Sequence, residues 1–492
     1  MNILFASSEA VPFAKTGGLA DVSGALPRHL SRLGHRVDLF LPNYRCCRES
    51  GQPIEETGIH LKIPVGQTII EGQLLRSRLP DSDVTVWLVD QPGLFDRAGI
   101  YGENGQDYGD NCARFVFFSR AVLEAIRLAD LKVDVIHCND WQTGLIPAYL
   151  KTEYAGSSHH ESVSSLLTIH NLGYQGLFLH WDMQLTGMDW SHFNWEEMEF
   201  FGQLNLLKTG IVFADALSTV SPTYAREIQT EQQGYGLDGV LRSRASVLHG
   251  ILNGIDTDVW NPASDQQLTE QYSVKNWKDG KLANKLALQK ELGLKPDPDV
   301  PLIGSVGRIA TQKGFALIMP VLHHWLEHTD SQWVFLGKGD QGIEQSLLHI
   351  EKSRPGRVAV QIGFSDRMAH RIEAAADIFL MPSQYEPCGL NQMYSMAYGT
   401  IPVVRHTGGL ADTVVDDSHN GGSQGPPTGF SFVPMRSEHL EQALARAVTC
   451  RAKQPDEWAR RVETGMHIDW SWSSSAKKYC DLYQSLIKAK QH

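Results

Sequence analysis

Short apolar runs that predict buried strands recur along the whole chain, and most are followed by a turn and a helical pattern. In the first half they lie at 2–7, 37–41, 84–89, 133–137, 165–169, 212–220 and 247–252. In the second half they lie at 302–306, 333–336, 358–362, 378–381, 401–404 and 428–433. This alternation predicts an α/β protein with parallel sheets, which bind ligands beyond the carboxyl ends of their strands. The region at 42–83 holds no such pattern over most of its length, and we expect it to be largely irregular.

One hexapeptide, Thr-Gly-Gly-Leu-Ala-Asp, occurs twice, at 16–21 and at 407–412. A length of 492 residues exceeds what one hydrophobic core normally serves. We therefore predict two similar halves, each of which brings a glycine turn to a shared cleft. The turn signature Asn-Gly-Ile-Asp at 253–256 marks the boundary between the halves. It divides the chain into an N-terminal domain, 1–252, and a C-terminal domain, 253–468. The tail, 469–492, is predicted as an amphipathic helix that packs back across the other half.

The first apolar run leads into a loop through Lys15, Gly17 and Gly18, and a helical pattern follows. Glycine lets the backbone approach a ligand closely, and a helix N-terminus attracts an anion. The succession of a strand, a glycine loop and a helix therefore predicts a phosphate site. A lysine beside such a loop suits the charge of a phosphate group. The alternative is that the two glycines only start the helix.

Polar side chains past the strand ends are further candidates. Asp140 and His170 each follow an apolar run, at the edge of the sheet where a ligand would bind. Each could instead cap a helix or anchor a loop. Tyr101 could line a sugar site by stacking and hydrogen bonding, or could belong to a packed loop. We interpret the aromatic stretch at 181–201 as a surface excursion with a packing role, with contact to a long acceptor as the alternative.

Charged residues follow two runs of the second half. Arg308 and Lys313 stand five residues apart after the first of these runs. At that spacing an arginine fork and a lysine point charge can converge on one diphosphate, unless they form only a solvated basic turn. Glu386 lies in the turn after the run at 378–381, so that its carboxylate is expected at the same sheet edge.

A GxGxxG pattern at 337–342 matches the dinucleotide-binding fingerprint. It follows the second strand of its half rather than the first, so we keep an NAD-dependent oxidoreductase only as an alternative. A glycine turn near some nucleotide is compatible with either function.

The net charge of -12 argues against general binding to nucleic acid or to an anionic membrane. Seven scattered cysteines show no disulfide framework and no paired metal spacing, which predicts a reducing cytoplasm. We expect no targeting segment and no membrane span, because the chain lacks a basic leader and a run of about 20 apolar residues. Asp-X-Asp at 81–83, 256–258 and 297–299 is short enough to recur by chance, so no metal is predicted.

Six motifs stand in one order along nearly the whole chain. They are KTGGLAD at 15–21, HCNDW at 137–141, HN at 170–171, NGID at 253–256, Arg308 with QKG at 312–314, and EPCGL at 386–390. Together they resemble the bacterial glycogen synthase and plant starch synthase family. The resemblance implies the GT-B fold, with two Rossmann-like domains facing across a cleft and a C-terminal helix that packs on the N-terminal domain. It also implies a cytoplasmic enzyme without a metal or other cofactor.

The resemblance implies retaining transfer of glucose from ADP-glucose to the non-reducing-end 4-hydroxyl of an α-1,4-glucan. The expected catalytic residues are Glu386, Lys313, Arg308, His170 and Asp140. The expected substrate-binding residues are Lys15, Gly17, Gly18, Asp21, Tyr101, Asn253, Cys388, Gly389, Leu390, Thr407, Gly408 and Gly409. A non-catalytic glucan or nucleotide-sugar binding protein is a further alternative, but it would not need Arg308, Lys313 and Glu386 together. The sequence leaves open the donor base, the choice between glycogen and starch, and the number of subunits.

Overall fold

The chain divides into two compact units. A computed structural model describes residues 1–418 and 425–491, so that residue 492 of the predicted C-terminal helix lies outside the described residues. The first unit is Met1–Asn253 together with the segment from Trp472 onward, and the second is Gly254–Ser471. The domain boundaries predicted after residues 252 and 468 lie beside these divisions.

The first unit is built on a mostly parallel sheet. The strands of this unit are β1 (Asn2–Ala6), β2 (Arg36–Pro42), β3 (Glu55–Val65), β4 (Thr68–Arg78), β5 (Thr85–Asp90), β6 (Gly102–Glu103), β7 (Gln106–Asp107), β8 (Val135–Asn139), β9 (Ser164–Ile169), β10 (Leu177–Leu179), β11 (Glu199–Phe200), β12 (Gln203–Asn205), β13 (Ala216–Thr219) and β14 (Leu248–Gly250). Its nine-stranded sheet has the order β14-β13-β9-β8-β1-β2-β5-β4-β3. The pairs from β14 to β5 are parallel, and β4 and β3 continue the sheet antiparallel.

The helices of the first unit cover this sheet. Those that precede residue 254 are α1 (Gly18–Arg32), α2 (Arg45–Glu49), α3 (Pro92–Phe95), α4 (Asn111–Leu128), α5 (Leu145–Lys151), α6 (Met183–Thr186), α7 (Leu206–Phe213), α8 (Pro222–Glu227) and α9 (Asp238–Ser243). The α4 sequence is apolar around most of its circumference, as expected of a buried helix, and Phe115, Phe117 and Phe118 are fully buried.

The region predicted to be irregular forms a long antiparallel hairpin of β3 and β4, so that prediction was wrong. Leu61, Ile63 and Val65 are buried while the residues between them are exposed, which is the alternation of a strand with one covered face. Gly66, at φ +60°, lies in the turn between the strands. The hairpin was missed because its apolar residues alternate with polar ones and do not form a continuous run.

The second unit is built on an all-parallel sheet. Its strands are β15 (Leu302–Val306), β16 (Gln332–Gly337), β17 (Val358–Ile362), β18 (Ile378–Met381), β19 (Ile401–Arg405) and β20 (Phe430–Phe432), in the order β17-β16-β15-β18-β19-β20. Every pair is parallel, which explains the near-continuous apolar runs, because such strands are buried on both faces. Its helices are α10 (Trp277–Glu291), α11 (Phe315–His328), α12 (Gln341–Ser353), α13 (Asp366–Ala375), α14 (Asn391–Ala397), α15 (Gly408–Thr413), α16 (Ser437–Lys453) and α17 (Pro455–His467).

Both sheets reverse their strand order beside their first strand. In the first unit β1 lies between β2 and β8, and in the second β15 lies between β16 and β18. At such a point the loops that leave neighbouring carboxyl ends run to opposite sides and open a crevice, where α/β proteins bind ligands. The loops after β1 and β8 therefore line the crevice of the first unit, and those after β15 and β18 line that of the second.

The C-terminal helix α18 (Trp472–Lys490) packs against the first unit, as predicted. The Tyr483 hydroxyl lies 2.7 Å from His137 Nδ1, and the Ser475 hydroxyl donates a hydrogen bond to the Leu252 carbonyl. No helix in residues 1–418 and 425–491 combines the length and hydropathy that crossing a bilayer requires.

Candidate functional site

A buried carboxylate, Glu9, organises the glycine loop that follows β1. Its oxygens accept hydrogen bonds from the Thr16 N–H at 2.5 Å, the Thr16 hydroxyl at 2.7 Å, the Gly17 N–H at 3.1 Å and the Tyr101 hydroxyl at 2.6 Å. Hydrogen bonds to an ionised group are the strong ones, so Glu9 fixes the course of the loop. Sequence analysis missed this residue, whose only signal was an acidic side chain directly after a buried strand.

The two glycines of this loop border open space. A Cβ placed on Gly17 or Gly18 would meet no atom within 4 Å. Because α1 begins at Gly18, the unpaired N–H groups of its first turn lie at this opening. Lys15 Nζ lies 2.8 Å from Asp21 Oδ1 in a solvent-exposed ion pair. Exposed pairs contribute little to stability, so an anionic ligand can draw the ammonium group away at small cost.

Asp140 and His170 lie side by side beyond β8 and β9. Asp140 Oδ1 accepts a hydrogen bond from the His170 N–H at 2.8 Å. Asp140 has φ +54°, a conformation that costs a non-glycine residue roughly 1–3 kcal/mol and is concentrated at functional sites. Burial raises the pKa of Asp140 to about 7, against the lowering effect of hydrogen bonds from the N–H groups of His170 and Asn171. Backbone strain and a raised pKa together are typical of a functional carboxyl group.

Asn139 determines which nitrogen of His170 carries the proton. Asn139 Nδ2 donates to the Ala6 carbonyl at 3.0 Å and to the His137 carbonyl at 3.3 Å. The Asn139 Oδ1 atom must therefore accept the 2.8 Å hydrogen bond from His170 Nε2, which leaves His170 Nδ1 as an acceptor. Burial lowers the pKa of His170 to about 3, so the imidazole is neutral at physiological pH. Sequence analysis included Asn139 in the HCNDW motif at 137–141 but assigned it no role of its own.

In the second unit an ion pair joins Lys313 to Glu386. The Lys313 Nζ to Glu386 Oε2 distance is 2.6 Å, and the Ser383 hydroxyl donates to the same oxygen at 2.9 Å. Glu386 is buried and Lys313 is half-buried, so solvent screens this pair less than one on the open surface. The loops after β15 and β18 thus bring together two residues whose roles were predicted separately.

Gln312 ties the same two loops together. Its Oε1 accepts a hydrogen bond from Arg308 at 3.3 Å, and its Nε2 donates to the Tyr385 carbonyl at 3.2 Å. Its own carbonyl accepts from the Gln384 N–H at 2.7 Å. Arg308 is exposed at this edge. Sequence analysis included Gln312 in the QKG motif at 312–314 but assigned it no role of its own.

The second copy of the repeated hexapeptide supports the turn that carries Glu386. A Cβ on Gly408, which has φ +46°, would lie 2.0 Å from the Glu386 carbonyl oxygen, and one on Gly409 would lie 2.0 Å from that of Cys388. The Gly409 N–H also donates to the Glu386 carbonyl at 3.0 Å. Only glycine fits this close approach, whereas the glycines of the first copy border open space.

The remaining predicted residues occupy defined positions. Cys388 and Gly389, with Leu390, lead from the Glu386 turn into α14, and Thr407 is the N-cap residue of α15. Asn253 is buried at the end of the first unit. The Tyr101 hydroxyl, besides its bond to Glu9, lies 2.8 Å from the Ser8 hydroxyl. Contact of these residues with a ligand stays a prediction.

The GxGxxG segment has a packing role within the second unit. A Cβ on Gly337 would lie 1.9 Å from the Gly307 carbonyl oxygen, and one on Gly339 would lie 2.0 Å from that of Ile309. Close approach of this segment to the loop after β15 therefore explains these glycines without a dinucleotide. In the part of the chain that the structure describes, no group of three His, Cys, Asp or Glu side chains is arranged to hold a metal ion.

Comparison with known proteins matches both halves of the chain. The family model of the starch synthase catalytic domain matches residues 2–243, and that of glycosyl transferases group 1 matches residues 289–464. A glycogen synthase of Rhodopirellula baltica is 47% identical over 99% of this chain and 98% of its own length. A glycogen synthase of Anaeromyxobacter dehalogenans is 46% identical over 100% of both chains.

Solved structures show the same likeness. The catalytic domain of starch synthase IV from Arabidopsis thaliana, bound to ADP and acarbose, matches with a TM-score of 0.90 and 34% identity over 99% of both chains. Sucrose-phosphate synthase from Thermosynechococcus elongatus matches with a TM-score of 0.59 at 17% identity over 99% of both chains, a likeness that shows the fold alone.

The fold and these relatives define a glycosyltransferase with the GT-B fold. Within that class, the chain belongs to the family of bacterial glycogen synthases and plant starch synthases. The predicted fold class and enzyme class are confirmed. The family membership supports this assignment over an NAD-dependent oxidoreductase and over a non-catalytic binding protein.

Replacing Glu9 with glutamine should loosen the glycine loop while the fold stays intact. The neutral amide has one acceptor oxygen and loses hydrogen bonds to a charged group, each of which contributes about 1.5–3 kcal/mol. We expect amide hydrogen exchange at Thr16 and Gly17 to accelerate at least roughly tenfold, since 1.4 kcal/mol corresponds to that factor. Glu161→Gln, on an exposed turn, is the control and should leave the exchange unchanged. Equal protection in Glu9→Gln and the wild type would show that Glu9 does not hold the loop.

The lowered pKa of His170 predicts a loss of stability in acid. Between about pH 6.5 and 3 the unfolded histidine binds a proton that the folded one does not, so this contribution to stability is lost as the pH falls. The slope is at most about 1.4 kcal/mol per pH unit. Urea unfolding at pH 7, 6 and 5 should show a shallower decline in His170→Asn than in the wild type. Parallel declines would show that His170 titrates normally.

Proposed function

We propose that this chain transfers glucose from ADP-glucose to the non-reducing-end 4-hydroxyl of an α-1,4-glucan, with retention of the anomeric configuration. The observation that carries the proposal is the Lys313–Glu386 ion pair, with Arg308 tied beside it, at the strand-order reversal of the second sheet. The glycogen synthase names of the relatives and the ADP bound to the similar starch synthase domain support the choice of donor and acceptor.

Lys313 and Arg308 are assigned to the diphosphate, which is the leaving group of the reaction. Breaking the bond between a sugar and a diphosphate builds negative charge on the diphosphate oxygens. A lysine and an arginine already fixed at this place stabilise that charge without reorganising, and removing one such group typically raises the barrier by roughly 3 kcal/mol. Lys313 and Arg308 have this role in the proposal.

The Glu386 carboxylate is assigned to the transferred glucose. As the bond breaks, positive charge develops at the anomeric carbon, and a nearby carboxylate stabilises it. Lys313 compensates the charge of Glu386. A diphosphate that attracts Lys313 would leave Glu386 with the Ser383 hydroxyl as its donor, and its negative charge would then act on the sugar ring.

Phe364 is a candidate for contact with the donor base. It is 85% exposed and lies two residues beyond the end of β17, which is two strands away from β15 in the sheet. Neighbouring strands lie about 4.8 Å apart, so its backbone is about 10 Å from the loop that carries the cations. A flat exposed ring at this distance suits stacking on a nucleotide base. Sequence analysis missed Phe364, because one aromatic residue in a turn carries no local signal.

The first unit has the acceptor role in this proposal, and the second has the donor role. The neutral His170 offers Nδ1 as a hydrogen-bond acceptor, and Asp140 offers a carboxyl group that titrates near neutrality. Such groups suit sugar hydroxyls, which both donate and accept hydrogen bonds.

The seven cysteines are all free thiols, which supports a reducing compartment and hence the cytoplasm.

The first test is incorporation of labelled glucose into a glucan primer, from ADP-glucose and from UDP-glucose side by side with a chelator present. We expect transfer from ADP-glucose, and a chelator-resistant rate would confirm that the basic side chains supply the charge. Transfer from UDP-glucose alone would overturn the donor assignment. No transfer from either donor, with a folded protein, would overturn the proposed reaction.

Substitution of the ion pair tests the assigned roles. Lys313→Ala and Glu386→Gln should each lower kcat roughly 100- to 1,000-fold, because each removes a charge that acts in the transition state. Arg308→Ala should lower kcat in the same direction. Lys295→Ala removes an exposed lysine that precedes β15, at the opposite end of the strand, and should leave kcat unchanged. Near-normal turnover in a well-folded Lys313→Ala variant would remove this residue from the phosphate site.

A further inference from the structure

Large aromatic side chains lie exposed on the excursion between β9 and α7. Trp181 is 64% exposed and Trp190 is 47% exposed, and Trp195 and Phe201 are exposed as well. Single exposed apolar residues are common, but several tryptophans close together on one surface mark an interaction site. The packing role predicted for the stretch at 181–201 accounts for its buried methionines but not for these exposed rings.

Trp181 and Trp190 form one cluster with the rings of His180 and Phe193. We call these four residues the aromatic patch. Ring centroids of His180 and Trp181 are 4.3 Å apart, those of Trp181 and Trp190 are 6.4 Å apart, and those of Trp190 and Phe193 are 5.7 Å apart. The turn that carries Trp190 is capped by Asp189, whose side chain accepts a hydrogen bond from the Ser191 N–H at 2.8 Å. The patch is therefore ordered before any ligand arrives.

A chain of packed rings connects the patch with the candidate site of the first unit. The Tyr101 ring lies 6.5 Å from the Trp141 ring, which lies 5.7 Å from the ring of Phe178 in β10. A Cβ on Gly176 would lie 2.4 Å from Trp141, so β10 is held tightly against this tryptophan. Trp181 follows Phe178 by three residues, which span at most about 11 Å. The patch thus lies on the order of 20 Å from Tyr101, within reach of one oligosaccharide chain.

The charges around the patch select among possible occupants. The segment at 181–201 carries five carboxylates, Asp182, Asp189, Glu196, Glu197 and Glu199, and neither lysine nor arginine. Anionic lipid and nucleic acid would be repelled by this segment. A second copy of the chain would bring the same carboxylates face to face across a two-fold axis. A neutral glucan has apolar C–H faces for the rings and hydroxyl groups for the carboxylates, so it fits both features.

We propose that the aromatic patch binds an α-glucan chain outside the candidate transfer site and retains long acceptors on the first unit. The proposal extends the proposed function and rests on it for the identity of the polymer. Its direct consequence is a preference for long acceptors over short ones that cannot reach the patch.

Native gel electrophoresis with and without glycogen in the gel tests binding without any donor. We expect glycogen to retard the wild type strongly and Trp181→Ala or Trp190→Ala weakly, with a Kd about tenfold higher, equivalent to 1.4 kcal/mol. Trp181→Tyr, which keeps a ring, should restore most of the retardation. Ile69→Ala removes a 58% exposed apolar side chain from the β3–β4 hairpin and should behave as the wild type does.

Kinetics separate the patch from the transfer site. The patch variants should show a raised KM for glycogen, with kcat and the KM for a short maltooligosaccharide unchanged. Equal retardation of the patch variants and the wild type by glycogen would overturn the proposal. So would a change of oligomeric state in Trp190→Ala, because it would identify the patch as an interface between copies. If glycogen retards the wild type more than the patch variants but no glucose is transferred from ADP-glucose, glucan binding by the patch would be supported and the proposed function would be overturned.

Discussion

The reversal of strand order in each parallel sheet is the constraint on which the candidate site depends. Loops that leave β1 and β8, or β15 and β18, diverge to opposite sides, so they leave an opening between them. Each unit places its charged groups at that opening. Glu9 and Asp140 lie there in the first unit, and Arg308 and Glu386 lie there in the second. The strand order therefore determines where the candidate site lies, and the chemistry of the side chains determines which ligand it fits.

The charges gathered at such an opening are compensated by other side chains of the protein, in two ways. Lys15 pairs with Asp21 in water, where the pair is weak and easily exchanged for a ligand. Lys313 pairs with the buried Glu386, where desolvation makes separation costly unless another anion replaces the carboxylate. In the proposed function, this difference makes the second unit the more selective of the two for a highly charged group such as a diphosphate.

Local pattern was sufficient for the parts of the fold that are locally encoded. The parallel strands are continuous apolar runs, and Arg308, Lys313 and Glu386 are recognisable by residue type directly after such runs. The roles of Glu9 and Asn139 were missed because they depend on partners far along the chain, at Tyr101 and at His170. No window of a dozen residues contains that information, so only the folded arrangement reveals them.

The repeated hexapeptide shows how one sequence can serve two physical ends. Its first copy starts a helix of 15 residues and leaves Gly17 and Gly18 beside open space, where a ligand can approach the backbone. Its second copy starts a helix of 6 residues and packs Gly408 and Gly409 against the backbone of the Glu386 turn. The two copies stand at different topological positions, because the first follows β1 beside the strand-order reversal of its sheet, and the second follows β19 next to the edge strand β20. Their surroundings differ accordingly, so glycine borders open space in one unit and admits the protein's own backbone in the other.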